Sequence, residues 1–153
     1  MLTLHQGPPP PPGVATLRLR CRPESAAAAR RLVHAKLTEW ELPDLVDDAR
    51  LIVTELVANA VGIGGRTHLV VGVRRPTAAT VRLLVRDGST LLPVRTEAGP
   101  DAESGRGLDL IHHLTQAKWG VRLRPWGKVV HAELSTTRSL GPVEPNTPTN
   151  ARG

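Results

Sequence analysis

Glu55 and Asn59 stand four residues apart in an otherwise apolar run, Thr54-Glu55-Leu56-Val57-Ala58-Asn59-Ala60. That spacing is one helical turn, so both side chains leave the same flank of a helix. A carboxylate there can orient or deprotonate an attacking hydroxyl or water. A carboxamide one turn on can complete the shell of a Mg²⁺ otherwise held by phosphate oxygens and waters. Further along, Asp87-Gly88 follows the apolar stretch Val81 to Val85, and Ser104-Gly105-Arg106-Gly107-Leu108 precedes another helical pattern. Ser104 can cap that helix, the glycines let backbone approach a ligand, and a helix N-terminus attracts anions. A metal-side pair, an acid that can read a base and N–H groups for phosphates are together what a nucleotide site needs. Each has a plainer alternative: a solvated Glu, an Asn near a helix end, an Asp-Gly turn.

The elements that must position these groups follow from periodicity. Val14 to Arg20 alternates as a half-buried strand does. Pro23-Glu24-Ser25 opens a helix through about Trp40, and Pro43-Asp44 opens a second through about Val61, with Gly62, Gly64 and Gly65 ending it. On that second helix Leu45, Val46, Ala49, Ile52, Val53, Leu56, Val57 and Ala60 share one arc. Glu55 and Asn59 fall at its edge; Asp47, Arg50, Thr54 and Ala58 oppose it. An Asn at the rim of a buried stripe needs a hydrogen-bond partner, which a bound metal ion would provide. Leu69 to Val73 and Val81 to Val85 read as two strands turning through Arg75-Pro76-Thr77. Residues 89–104 lack either period and contain Pro93, Gly99 and Pro100, which suits a lid. A third helix runs from Gly107 to about Ala117, and Trp119 to Leu123 and Val129 to Leu134 form the last strands. The class is α+β: a mixed, mostly antiparallel sheet with about three helices on one face.

The combination resembles the GHKL (Bergerat-fold) ATP-binding proteins, and within them the small stand-alone anti-sigma-factor serine/threonine kinases. The likeness spans roughly Val14 to Leu134. It rests on Glu55-Leu56-Val57-Ala58-Asn59-Ala60, Val85-Arg86-Asp87-Gly88-Ser89, Gly105-Arg106-Gly107-Leu108, Trp119-Gly120-Val121 and Gly127-Lys128-Val129-Val130-His131-Ala132-Glu133-Leu134. The resemblance implies a Bergerat two-layer sandwich that takes ATP and Mg²⁺. It implies Glu55 as the catalytic base or orienting group and Asn59 as the Mg²⁺ ligand. It also implies Asp87 as acceptor of the adenine amine, with Gly88, Gly105, Arg106, Gly107 and Leu108 around the nucleotide. Arg106 either touches phosphate or is solvated. The chain departs from the family where a further glycine commonly follows Asp87, having Ser89-Thr90, and Val129 stands at the expected threonine position. After Asn59 it reads Val61-Gly62-Ile63-Gly64-Gly65, where relatives often have His and Ala.

The resemblance further implies a sigma factor and a separate antagonist protein as partners, the latter phosphorylated on Ser or Thr, and leaves a homodimer open. The competing class is a non-catalytic, nucleotide-dependent protein-interaction module. Composition bounds both. The 153 residues suit one domain over 14–135, between a tail at 1–13 with five consecutive prolines and a Pro- and Thr-rich tail at 136–153, both expected to be disordered. The net charge of +6 allows a nucleic-acid regulator as a third reading, but the basic residues are scattered and there are three Trp and no Phe or Tyr to stack bases. Cys21 is the sole cysteine, which excludes an internal disulfide and suits a reducing cytoplasm. Neither a membrane span nor a signal peptide is expected. His112 and His113 are adjacent and cannot both face one metal from a helix.

Overall fold

The computed structural model describes residues 13–63, 67–89 and 106–137, with the backbone alone for Ile63 and Arg106. Of the expected tails at 1–13 and 136–153 and the expected lid at 89–104, residues 1–12, 138–153 and 90–104 lie outside the described residues. The chain order is β1 (Val14–Arg20), α1 (Ser25–Glu39), a 3-10 turn (Pro43–Leu45), α2 (Val46–Ile63), β2 (His68–Thr77), β3 (Thr80–Asp87), α3 (Arg106–Leu114), β4 (Trp119–Arg124) and β5 (Gly127–Ser135). The strands form one sheet in the order β1-β2-β3-β5-β4. Among the described residues every pairing is antiparallel, in keeping with the expected mostly antiparallel sheet.

Two layers result. Period-two alternation turns Leu69, Val71 and Val73 of β2, Val81, Leu83 and Val85 of β3, and Val130, Ala132 and Leu134 of β5 toward the helices, where all are buried. α2 lies over β3, and α1 and α3 pack against α2. The α2 arc is buried at Ala49, Ile52, Val53, Leu56, Val57 and Ala60, while Leu51 remains half exposed. On α1 a narrower stripe, Ala29, Val33 and Leu37, is fully buried. Each such Val or Leu contributes roughly 1.5–3 kcal/mol on burial. No Phe or Tyr is present, and the core is aliphatic apart from Trp40.

Several element ends differ from the sequence-based expectation. The β2–β3 turn is at Ala78-Ala79; Arg75-Pro76-Thr77 belongs to β2. The register shifts between Arg74 and Thr77, and a bulge there accommodates Pro76, which has no N–H for the ladder. α2 keeps Gly62 within its last turn. α3 stops at Leu114 because Gln116 and Ala117 take positive φ, with the Ala117 N–H donating to the His112 carbonyl at 2.8 Å. Of the two adjacent histidines, His113 is exposed and His112 accepts a hydrogen bond from Trp119 Nε1 at 3.1 Å. Among the described residues no helix is long and apolar enough to cross a membrane.

Candidate functional site

The helix-facing side of the sheet ends, on β3 and β5, in two charges rather than two more apolar residues. Asp87 continues the inward row Val81, Leu83, Val85, and Lys128 begins the inward row Val130, Ala132, Leu134. Their Cα atoms are register partners across the β3–β5 ladder. Both side chains are 1% exposed, and Lys128 Nζ donates to both Asp87 oxygens at 3.0 Å. The Ser89 N–H donates to Asp87 Oδ1 at 2.7 Å. These bonds use two acceptor positions on Oδ1 and one on Oδ2. An ionised carboxylate has about four, so Oδ2 keeps a lone pair for a further donor.

Gly127 makes the pairing tight. A Cβ at this position would overlap the Asp87 carbonyl oxygen and come within 2.7 Å of Gly88 Cα. Gly127 therefore lets the β4–β5 hairpin close onto the backbone at Asp87-Gly88. Val129, at the expected threonine position, faces the opposite side of the sheet with Leu84 and Arg86. Lys128, not Val129, is the residue that meets Asp87.

Cys21, just beyond β1, adjoins the same end of the sheet. Its thiol donates weakly to the Ala60 carbonyl at 3.9 Å, next to Asn59 in sequence. Burial and the Asp87 carboxylate raise the thiol pKa above its ordinary value, and the Lys128 ammonium partly opposes them.

Glu55 and Asn59 lie half-buried on α2, as the edge of its apolar arc requires. Neither has a hydrogen-bond or ion-pair partner among the described residues. α3 begins directly against Glu55. A Cβ on Gly107 would overlap Glu55 Oε1 and lie 3.1 Å from Glu55 Cδ. Only a glycine lets the first turn of α3 approach the carboxylate this closely. Leu108 beside it is 1% exposed and fixes the start of α3 in the core. Gly105 and the Arg106 side chain lie outside the described residues.

The structure thus joins Glu55 to Gly107 at one end of the helix layer. It joins Asp87, Gly88, Gly127 and Lys128 at the facing end of the sheet, with Asn59 on α2 one turn beyond Glu55. Lys128, Ser89 and Cys21 were not among the residues singled out by spacing. The signal for Lys128 was the period of two: it stands one step before the inward row of β5, as Asp87 stands one step after that of β3. Nucleotide and metal fit this donor set. Asn59 offers an uncommitted carboxamide, Asp87 a buried Oδ2 with an acceptor position that neither Lys128 nor Ser89 uses, and Gly107 a backbone kept free of side chain beside a carboxylate. Among the described residues no group of three or more His, Cys, Asp or Glu could hold a metal by itself.

Residues 19–133 match the model of a family described as the histidine kinase-like ATPase domain. No curated protein sequence matches the chain significantly.

Proposed function

The chain belongs to the histidine kinase-like ATPase domain family, and on that premise we propose that it is a regulatory serine/threonine protein kinase of the anti-sigma-factor type. The observation that carries this reading is the buried carboxylate of Asp87, with an acceptor position open on Oδ2, in the same fold as the α2 pair Glu55 and Asn59. ATP is the nucleotide of this family, and Mg²⁺-ATP would supply the γ-phosphoryl group. Asp87 accepts a hydrogen bond from the adenine amine, where guanine would present an acceptor to an acceptor. Gly127 lets the β4–β5 hairpin close against the Asp87-Gly88 backbone, which fixes the carboxylate in place. Asn59 holds the metal. The backbone N–H groups at the start of α3, with Gly107, would hold phosphate oxygens. Glu55 would take the proton of a Ser or Thr hydroxyl as that oxygen forms its bond to the γ-phosphorus, the bond to the β–γ bridging oxygen breaks and ADP leaves. The acceptor would be a separate antagonist protein, and a sigma factor the regulated partner.

Thermal unfolding with nucleotide tests the first half. Binding to the native state alone adds about 2.7 kcal/mol at a hundredfold excess over Kd. Mg²⁺-ATP should raise the melting temperature well beyond Mg²⁺-GTP, and Asn59→Ala should remove the metal dependence without unfolding the domain. Equal shifts would sink the adenine assignment and point to Lys128 as a donor to the guanine oxygen. Phosphotransfer to candidate antagonists tests the second half: Glu55→Gln should keep nucleotide binding and lose roughly 10²–10⁴-fold in rate. Binding with no transfer by the wild type to any candidate would favour the non-catalytic interaction module.

A further inference from the structure

The sheet has a second face, turned away from the helices, and nothing in the nucleotide site uses it. There the strands carry arginines where a solvated sheet would mix both signs. A concavity of about 350 Å³ crosses all five strands, from Thr16 on β1 to Arg122 and Arg124 on β4. Five arginines line it. Arg82 pairs with Glu133 at 2.7 Å, and Arg86 lies over the Trp126 ring at 5.2 Å. Arg74, Arg122 and Arg124 are exposed and have no acidic partner among the described residues. Between the arginines the floor is apolar: Val70, Leu84 and Val129 occupy adjacent strands. Gly72 deepens it, since a Cβ there would meet Leu84 Cδ1 at 3.0 Å. We propose that this open face of the sheet is a docking surface for an acidic, amphipathic helix of a partner protein.

Charge and shape narrow the occupant to that class. A second copy of this chain would bring arginines against arginines, at a cost of several kcal/mol for close like charges. The terminal segments 1–12 and 138–153 contain no acid and one, Glu144, respectively. Nucleic acid would match the charge, but a single strand binds by stacking bases on aromatic rings, and the floor has none. A helix about 10–12 Å across spans two to three strands at about 4.8 Å spacing. Its apolar stripe would cover Val70, Leu84 and Val129 while Asp and Glu on its flanks meet the arginines on either side.

His131 reports on this face from within. Gly120 opposite has no Cβ, which would otherwise lie 2.9 Å from His131 Nε2, so the ring lies over β4. Its pKa is lowered by burial first, then by Arg82 and Arg122, with Glu133 opposing. Carboxylates arriving from a partner would offset those guanidinium charges while a docked helix would bury the ring further, so its titration would move on docking.

The test uses the full chain, a Glu- and Leu-patterned amphipathic peptide of about 20 residues, and a single-stranded oligonucleotide of similar charge. The peptide should bind in a calorimetric titration and weaken with added salt. The His131 ring, followed by NMR, should titrate below its ordinary value in the free protein and shift its titration when peptide binds. Arg74→Glu combined with Arg122→Glu, both exposed and outside the nucleotide site, should reduce affinity by about tenfold or more, while the melting temperature and the Mg²⁺-ATP shift stay unchanged. Arg124→Glu alone gives a milder variant should the double one fold poorly. Several results would overturn the proposal: no peptide binding, binding indifferent to charge reversal, a His131 that titrates normally in the free protein or does not respond to peptide, or an oligonucleotide that binds where the peptide does not.

Discussion

Lys128 is the residue whose burial most needs a reason. Lysine is almost never fully buried unless paired, and here the partner is Asp87 at 3.0 Å. Exchanging the pair for apolar residues need not destabilise, but removing one partner strands the other charge away from water. Lys128→Met should therefore cost about 3–5 kcal/mol in urea unfolding, whereas Arg124→Met, on the exposed rim, should change little. A change below about 1 kcal/mol would mean that water reaches Asp87. Cys21 senses the same pair. Its raised pKa leaves less thiolate at neutral pH, because a group that holds its proton more tightly ionises only at higher pH. Iodoacetamide should alkylate Cys21 more slowly at pH 7.5 than a free peptide thiol, with a rate still climbing where the peptide's has levelled. Lys128→Met should slow it further in a still-folded sample, since the opposing ammonium is gone and the Asp87 carboxylate remains. Faster alkylation in that variant would contradict the electrostatic account.

At the scale of elements, the meeting of α3 with α2 depends on one missing methyl group. Gly107 lies in the first helical turn, where alanine is intrinsically preferred by roughly 1 kcal/mol. Gly107→Ala should therefore fold, with a melting temperature unchanged or raised, while its Cβ pushes the Glu55 carboxylate aside. Phosphotransfer should fall in the range expected for loss of a base, and nucleotide binding much less. A variant with full transfer activity would show that Glu55 acts from another position. The elements were largely legible beforehand. Alternation gave β1, β3 and β5 their inner rows, and the α2 arc placed Glu55 and Asn59 at its rim, where both are half-buried. What spacing could not give was contact across long loops. Asp87 and Lys128 are 41 residues apart, and nothing local marks them as ladder partners. Taken singly, the lysine reads as a solvated cation and the aspartate as a turn residue; only the cross-strand register makes them a pair. The shifted β2–β3 turn has a similar origin. Arg75-Pro76-Thr77 has turn chemistry, but a shift of register near the end of β2 absorbed the proline and moved the reversal to Ala78-Ala79.

The whole molecule divides its labour between two faces of one sheet. The inner face, under the helices, builds the apolar core and ends in the Asp87–Lys128 pair; the outer face holds the arginine-lined trough. β3 belongs to both, because its alternate residues point to opposite sides: Asp87 inward, Arg86 outward. Trp126, at the β4–β5 turn, is 48% exposed beneath the Arg86 guanidinium. The other two indoles are placed differently, Trp40 in the core and Trp119 donating to His112. With no tyrosine or phenylalanine in the chain, ultraviolet emission comes from these three rings alone. A base docking on Asp87 presses on the residue next to Arg86, and an acidic helix in the trough draws Arg86 from the other side. Either event would shift the cation over the one solvent-facing indole, so the emission of the unlabelled protein should change with either ligand, and Trp126→Leu is the variant that should silence it.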